Sequence, residues 1–158
     1  MTSVAQAAAD FLAQRRIAVA GVSRQAAGHG GNTVYTTLRK RGYEVFAVNP
    51  NADTVEGDPC FRTLADIPGG VDGVVIATSP AAAASVVDDC IRLGIRRVWM
   101  HRSFGGGSVD AAAAMAGRAA GLTVIAGACP LMYGEQADFG HRCMRWVIGV
   151  TGSRPTAG

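Results

Sequence analysis

Five short and nearly uninterrupted apolar runs constrain this chain more than any other feature. They are Arg16 to Gly21, Tyr43 to Val48, Gly73 to Ala77, Arg97 to Met100 and Leu122 to Ile125. Runs of this length without polar alternation belong to strands buried on both faces, which is the situation of a parallel sheet covered by helices. The stretches between them have helical spacing and end in glycine. Thr33–Arg41 stops at Gly42, Ala81–Leu93 at Gly94, and a helix capped by Ser108 runs to Ala120 before Gly121. In the second of these, Val86, Val87, Cys90 and Leu93 fall on one face. Parallel strands need right-handed crossovers, so the expected fold class is α/β: a doubly wound, parallel, five-stranded, Rossmann-like sheet. The connection from Asn51 to Gly70 holds Pro59, Pro68 and two adjacent glycines, with room for one short helix near Thr63 to Ile67. A closing helix is expected around His141 to Val150. No repeat or linker divides the chain, so residues 1–158 are expected to form a single domain.

The bulk properties exclude several classes of function. A chain of 158 residues that is 49% hydrophobic and 17% charged is not disordered. Alanine (28) and glycine (21) dominate while aromatics are 6%, which suits close helix–sheet layers better than an aromatic-filled sandwich. A net charge of +3, scattered along the chain, does not point to nucleic acid. No stretch approaches the roughly 20 apolar residues of a membrane span. The first 16 residues include Asp10 and lack the basic start and apolar core of a signal peptide, so a cytoplasmic location is expected. Cys60, Cys90, Cys129 and Cys143 are widely spaced, without a C-x-x-C pair or a histidine at ligand spacing. Neither a disulfide framework nor a metal site is expected.

In a doubly wound sheet, ligands bind beyond the carboxyl ends of the strands, where the strand order reverses. The residues to inspect are therefore Gly21-Val22-Ser23-Arg24, Asn49-Pro50-Asn51, Thr78-Ser79-Pro80, His101-Arg102-Ser103 and Gly127-Ala128-Cys129-Pro130. All are small, polar or proline-containing segments. Gly28-His29-Gly30-Gly31 before the first crossover helix would let backbone N–H groups approach a pyrophosphate. The dinucleotide fingerprint G-x-G-x-x-G is not met, because Ser23 stands at its second glycine. The second strand ends at Asn49 rather than at the acidic residue that grips an NAD ribose, which puts a small NAD(P)-dependent oxidoreductase second among the readings. Ser23 has no histidine and acid at triad positions, and His29, His101 and His141 are isolated. Cys129, just past the fifth strand on the ligand side, could be a reactive thiol and reads first as an ordinary half-buried cysteine. No residue is assigned a catalytic role.

Taken together, these segments resemble the small single-domain CoA-binding proteins, relatives of the nucleotide-binding domain of the succinyl-CoA synthetase α subunit. The resemblance runs from Ile17 to about Val147. It rests on Gly21-Val22-Ser23, on Gly42-Tyr43-Glu44-Val45-Phe46-Ala47-Val48-Asn49-Pro50-Asn51, on Val71-Asp72-Gly73-Val74, on Trp99-Met100-His101-Arg102-Ser103 and on Gly127-Ala128-Cys129-Pro130. It implies coenzyme A as the small-molecule ligand. Gly21, Val22, Ser23 and Arg24 would then face the diphosphate. Asn49, Pro50, Thr78, Ser79 and Pro80 would line the adenosine pocket, with His101 and Arg102 flanking the ligand. Arg24 and Arg102 are the candidate charge contacts to phosphate. The family's first loop commonly has a proline and an Arg-x-Ser before its helix, whereas Gly30-Gly31-Asn32 stands here. Succinyl-CoA synthetase chemistry needs a phosphorylated histidine and a separate ATP-binding domain, for which this chain is too short. The expectation is a CoA- or acyl-CoA-binding protein without catalysis of its own, serving as a sensor or as partner of an acyl-CoA enzyme. A protein–protein adaptor with a decayed site is the third reading. The acyl group, protein partner and oligomeric state are not specified by these residues.

Overall fold

A computed structural model describes residues 2–25, 29–102, 107–150 and 154–158. Its elements are α1 (Val4–Leu12), β1 (Arg16–Ala20), α2 (Gly30–Lys40), β2 (Glu44–Val48), β3 (Thr54–Val55), β4 (Asp58–Phe61), β5 (Gly73–Ile76), α3 (Pro80–Leu93), β6 (Arg97–Met100), α4 (Ala111–Ala119), β7 (Thr123–Ala126) and α5 (Phe139–Val150). The strands form one sheet in the order β3-β4-β2-β1-β5-β6-β7. All neighbours are parallel except β3 and β4, which are antiparallel.

The fold class therefore holds, with a correction to the sheet: it has seven strands and is mixed. The two extra strands form a hairpin inside the connection where only a short helix was expected. Their sequences explain the miss. A two-residue strand has no period, and Asp58-Pro59 is poor strand material that survives only near a sheet edge. Tertiary contacts hold the hairpin: the Tyr35 hydroxyl on α2 donates to Asp58 at 2.7 Å, and Arg39 pairs with the same carboxylate. These two partners keep the Asp58 carboxyl below its usual range, the Tyr35 hydrogen bond acting most strongly. The short helix does form, as a 3-10 turn over Leu64–Asp66 in which Asp66 accepts from both the backbone and hydroxyl of Thr63.

Side-chain alternation sorts the core into two layers. Ile17, Val19, Val75, Trp99 and Ile125 face α1, α2 and α5, while Ala18, Ala20, Val74, Ile76 and Val98 face α3 and α4. Trp99 is fully buried, packs edge-on to Phe11 and Tyr133, and donates its indole N–H to the Gly127 carbonyl at 3.0 Å. Burying one such large side chain stabilises the fold by roughly 1.5–3 kcal/mol.

Three helices depart from expectation. α1 was not anticipated, although Ser3 and Gln6 form a capping box and Ala7, Ala8 and Phe11 make its buried stripe. α4 is capped by Asp110, which accepts from Ala113 N at 2.7 Å, and not by Ser108. Ser108 is buried and donates instead to the Thr78 carbonyl at 2.6 Å. On α3 the buried stripe is Ala83, Val87 and Cys90; it drifts toward Gly94 with the 3.6-residue period and leaves Leu93 exposed.

Candidate functional site

The chain leaves β1 toward β2 on one side and returns through β5 on the other, so the strand order reverses between β1 and β5. At that point two loops touch. Gly21 has φ +96°, and a Cβ there would lie 2.6 Å from the Ala77 carbonyl oxygen. A Cβ on Gly31, in the first turn of α2, would lie 2.8 Å from the Gly21 oxygen. Only glycine permits this contact of loop, strand end and helix start.

Buried Asn32 ties down the loop after β1. Its amide accepts from Ser23 N at 2.8 Å and donates to Ser23 O at 2.9 Å and to a Glu56 carboxylate oxygen at 2.7 Å. The β3–β4 hairpin thereby supports the first loop, through Glu56 in a left-handed turn conformation at φ 50°. Asn49 makes the matching bridge at the end of β2. Its Nδ2 donates to Val22 O at 2.9 Å and its Oδ1 accepts from Asn51 N at 2.8 Å. Both ends of that amide are spent on the scaffold.

Beside this junction, on the α3 face, lies a pocket of about 580 Å³. Of the residues expected at a site, it brings together Gly21, Asn49, Pro50, Thr78 and Ser79. The others lie elsewhere. Val22 is fully buried, Ser23 is half-buried under Asn32, and Arg24 is exposed beyond them. Pro80 begins α3 without lining the pocket, and Arg102 follows β6, its N–H on the Ala128 carbonyl at 2.8 Å. Gly28, Ser103, Gly105 and Gly106 lie outside the described residues.

The remaining walls escaped the sequence reading. Arg62 and Thr63 come from the end of the unanticipated β4, and Ser85, Val86 and Asp89 from the upper face of α3. The α3 residues were legible as the positions next to the buried stripe; Arg62 had no signal once β4 was missed. The lining is chemically simple: an apolar slot, a rim of hydroxyls, one guanidinium and one carboxylate, the last paired with Arg92. Among the described residues no histidine or cysteine lines it.

Two candidate reactive groups are buried. His101 is 8% exposed, with its ring against Gly30, where an added Cβ would meet Cε1 at 2.9 Å. Burial lowers its pKa and keeps it neutral. Cys129 is buried rather than half-buried, and burial pushes its thiol up to about 11, which leaves little thiolate at neutral pH. Among the described residues no cluster of histidine, cysteine and carboxylate could hold a metal ion. Among them, too, no helix is long and apolar enough to cross a membrane.

The comparisons with known proteins agree with this geometry. A hypothetical protein from Pyrococcus horikoshii OT3 superposes with a TM-score of 0.71 at 26% identity, covering 78% of this chain and 84% of that one. A conserved hypothetical protein from Pyrococcus furiosus gives a TM-score of 0.61 at 28% identity, over 72% and 92% of the two chains. An ADP-forming acetate–CoA ligase of Archaeoglobus fulgidus is 33% identical over 89 residues, which is 55% of this chain and only 13% of the ligase. The family described as CoA binding domain matches residues 15–135, the segment that supplies every lining residue of the strand-end pocket, and this chain belongs to that family.

Proposed function

We propose that this chain binds coenzyme A or an acyl-CoA as a single domain and has no reaction of its own, acting as a sensor or as partner of a larger acyl-CoA enzyme. The observation that carries the reading is the corner at the end of β2. Asn49 takes the place of a ribose-gripping acid, and its amide is already committed to Val22 and Asn51. That corner disfavours NAD and leaves an apolar slot with a hydroxyl rim for adenine and its ribose. In this reading Asn49, Pro50, Thr78 and Ser79 surround the adenosine, and Pro80 starts α3 behind them. Gly21, Ser23 and Arg24 meet the diphosphate over the buried Val22, and His101 and Arg102 flank the ligand. Ligation, as named for the Archaeoglobus protein, is not carried over from a match to 13% of its length.

Thermal denaturation with CoA and with NAD tests the reading. A ligand at a hundred times its Kd stabilises the native state by about 2.7 kcal/mol. CoA is expected to raise Tm and NAD to leave it unchanged. Equal shifts with both would overturn the assignment.

A further inference from the structure

We infer that Arg62 reads the 3′-phosphate on the adenosine ribose, so that the pocket distinguishes CoA from dephospho-CoA. The inference rests on the CoA reading above. Among the residues lining the pocket Arg62 is the single cation, and the single carboxylate, Asp89, is drawn to Arg92. Arg62 is also held in place. Its Nη1 donates to the Pro50 carbonyl at 3.1 Å and its Nη2 to Asp53 at 2.8 Å. Those two anchors draw the guanidinium to the β2 exit, the corner through which an adenosine ribose would face solvent. They use two of its five N–H donors and leave the others for the oxygens of a phosphate, to which the planar guanidinium is matched.

Competing charges do not displace this role. The Asp53 side chain is 82% exposed, so water screens its repulsion of a phosphate. Arg24 and Arg102, the arginines a sequence reading would choose, do not line the pocket. The Arg62 side chain is itself 59% exposed, which places the expected gain at the low end for a charge-assisted hydrogen bond. That end corresponds to roughly tenfold in affinity.

The experiment is calorimetric titration of the wild-type chain, Arg62→Ala and Arg62→Lys with CoA and with dephospho-CoA. The wild type is expected to prefer CoA about tenfold. Arg62→Ala should erase that preference while binding dephospho-CoA as the wild type does, and Arg62→Lys should retain part of it. An unchanged ratio of the two affinities in Arg62→Ala overturns the inference. So does an equal weakening of both ligands, which would make Arg62 a structural or diphosphate contact. A wild-type chain that binds neither ligand overturns the CoA reading itself, and the inference with it. Arg62 is exposed, and an unchanged Tm for the unliganded variant confirms that the fold is intact.

Discussion

Two hollows of this molecule have nearly the same volume, about 580 Å³ at the strand ends and about 590 Å³ beside α1. They are built from different material. The hollow beside α1 has a floor of alanines and a wall of Arg41, Tyr43, Tyr133 and Arg145. Four of its polar side chains already have partners. The Tyr43 hydroxyl donates to the Leu12 carbonyl at 2.6 Å, Arg41 donates to the Leu131 carbonyl at 3.3 Å, and Arg145 stacks 5.2 Å over the Tyr133 ring. The strand-end pocket lies at the ends of β1, β2 and β5, where the sheet order reverses, and is closed by residues that follow β4 and residues of α3. The hollow beside α1 lies among helices and loops, and the other lies at the switch point of the sheet, where the topology opens a crevice. Volume alone does not separate them; their position relative to the strands does.

The sharpest way to break this comparison is to fill each hollow in turn. Ala82→Trp places an indole in the strand-end pocket from an exposed position on α3, and it is expected to lower CoA affinity at least tenfold, or about 1.4 kcal/mol. Ala9→Trp does the same beside α1 and should leave CoA affinity unchanged. The opposite pattern in titration would move the site to α1.

A second pair removes one polar anchor from each region. Asn32→Ala strips Ser23 N–H of its partner in a buried setting, and such a loss costs about 1–3 kcal/mol. Tyr43→Phe removes one hydrogen bond beside α1, for about 0.5–1.5 kcal/mol. Urea denaturation should show both losses, while only Asn32→Ala should also weaken CoA. Equal effects on CoA would mean that the first loop does not depend on Asn32.

The smallest effect is expected from pH. His101 is held neutral beside the first turn of α2, with a folded pKa below the ordinary 6.5. The unfolded chain therefore binds the extra proton first on acidification. The stability that His101 contributes is full above 6.5 and is lost as pH falls through the folded value. Tm should drop on the acid side of 6.5 in the parent and drop less in His101→Gln. Beside α1, burial raises the pKa of Tyr133 and of Tyr43, away from this range. A parent Tm that is flat from pH 7 down to the carboxylate range would show that His101 is not sequestered.

Five of the strands, β1, β2, β5, β6 and β7, were legible because continuous apolar runs admit few other structures, and the glycine stops between them marked where crossover helices end. Gly21, Asn49, Pro50, Thr78 and Ser79 were legible as site neighbours for the same reason: each directly follows a strand. Cys129 was misjudged in burial because a loop position carries no periodicity from which burial can be read. β4 was missed because Asp58-Pro59 has no strand pattern and depends on Tyr35 and Arg39, about twenty residues earlier in the chain. With β4 went Arg62, the one cation among the described residues that line the pocket.

What the sequence determined by itself was local: buried strands, capped helices and a first crossover, from which a doubly wound sheet follows because parallel strands leave little choice of handedness. It also determined that no acid ends the second strand. The tertiary structure alone decided which residues share the pocket. Arg62 meets Pro50 through the pairing of β4 with β2, and Asn32 meets Ser23 and Glu56 through the packing of the hairpin on α2. Such contacts between distant residues are set by the pairing and packing of whole elements, and no period or spacing along one segment records them.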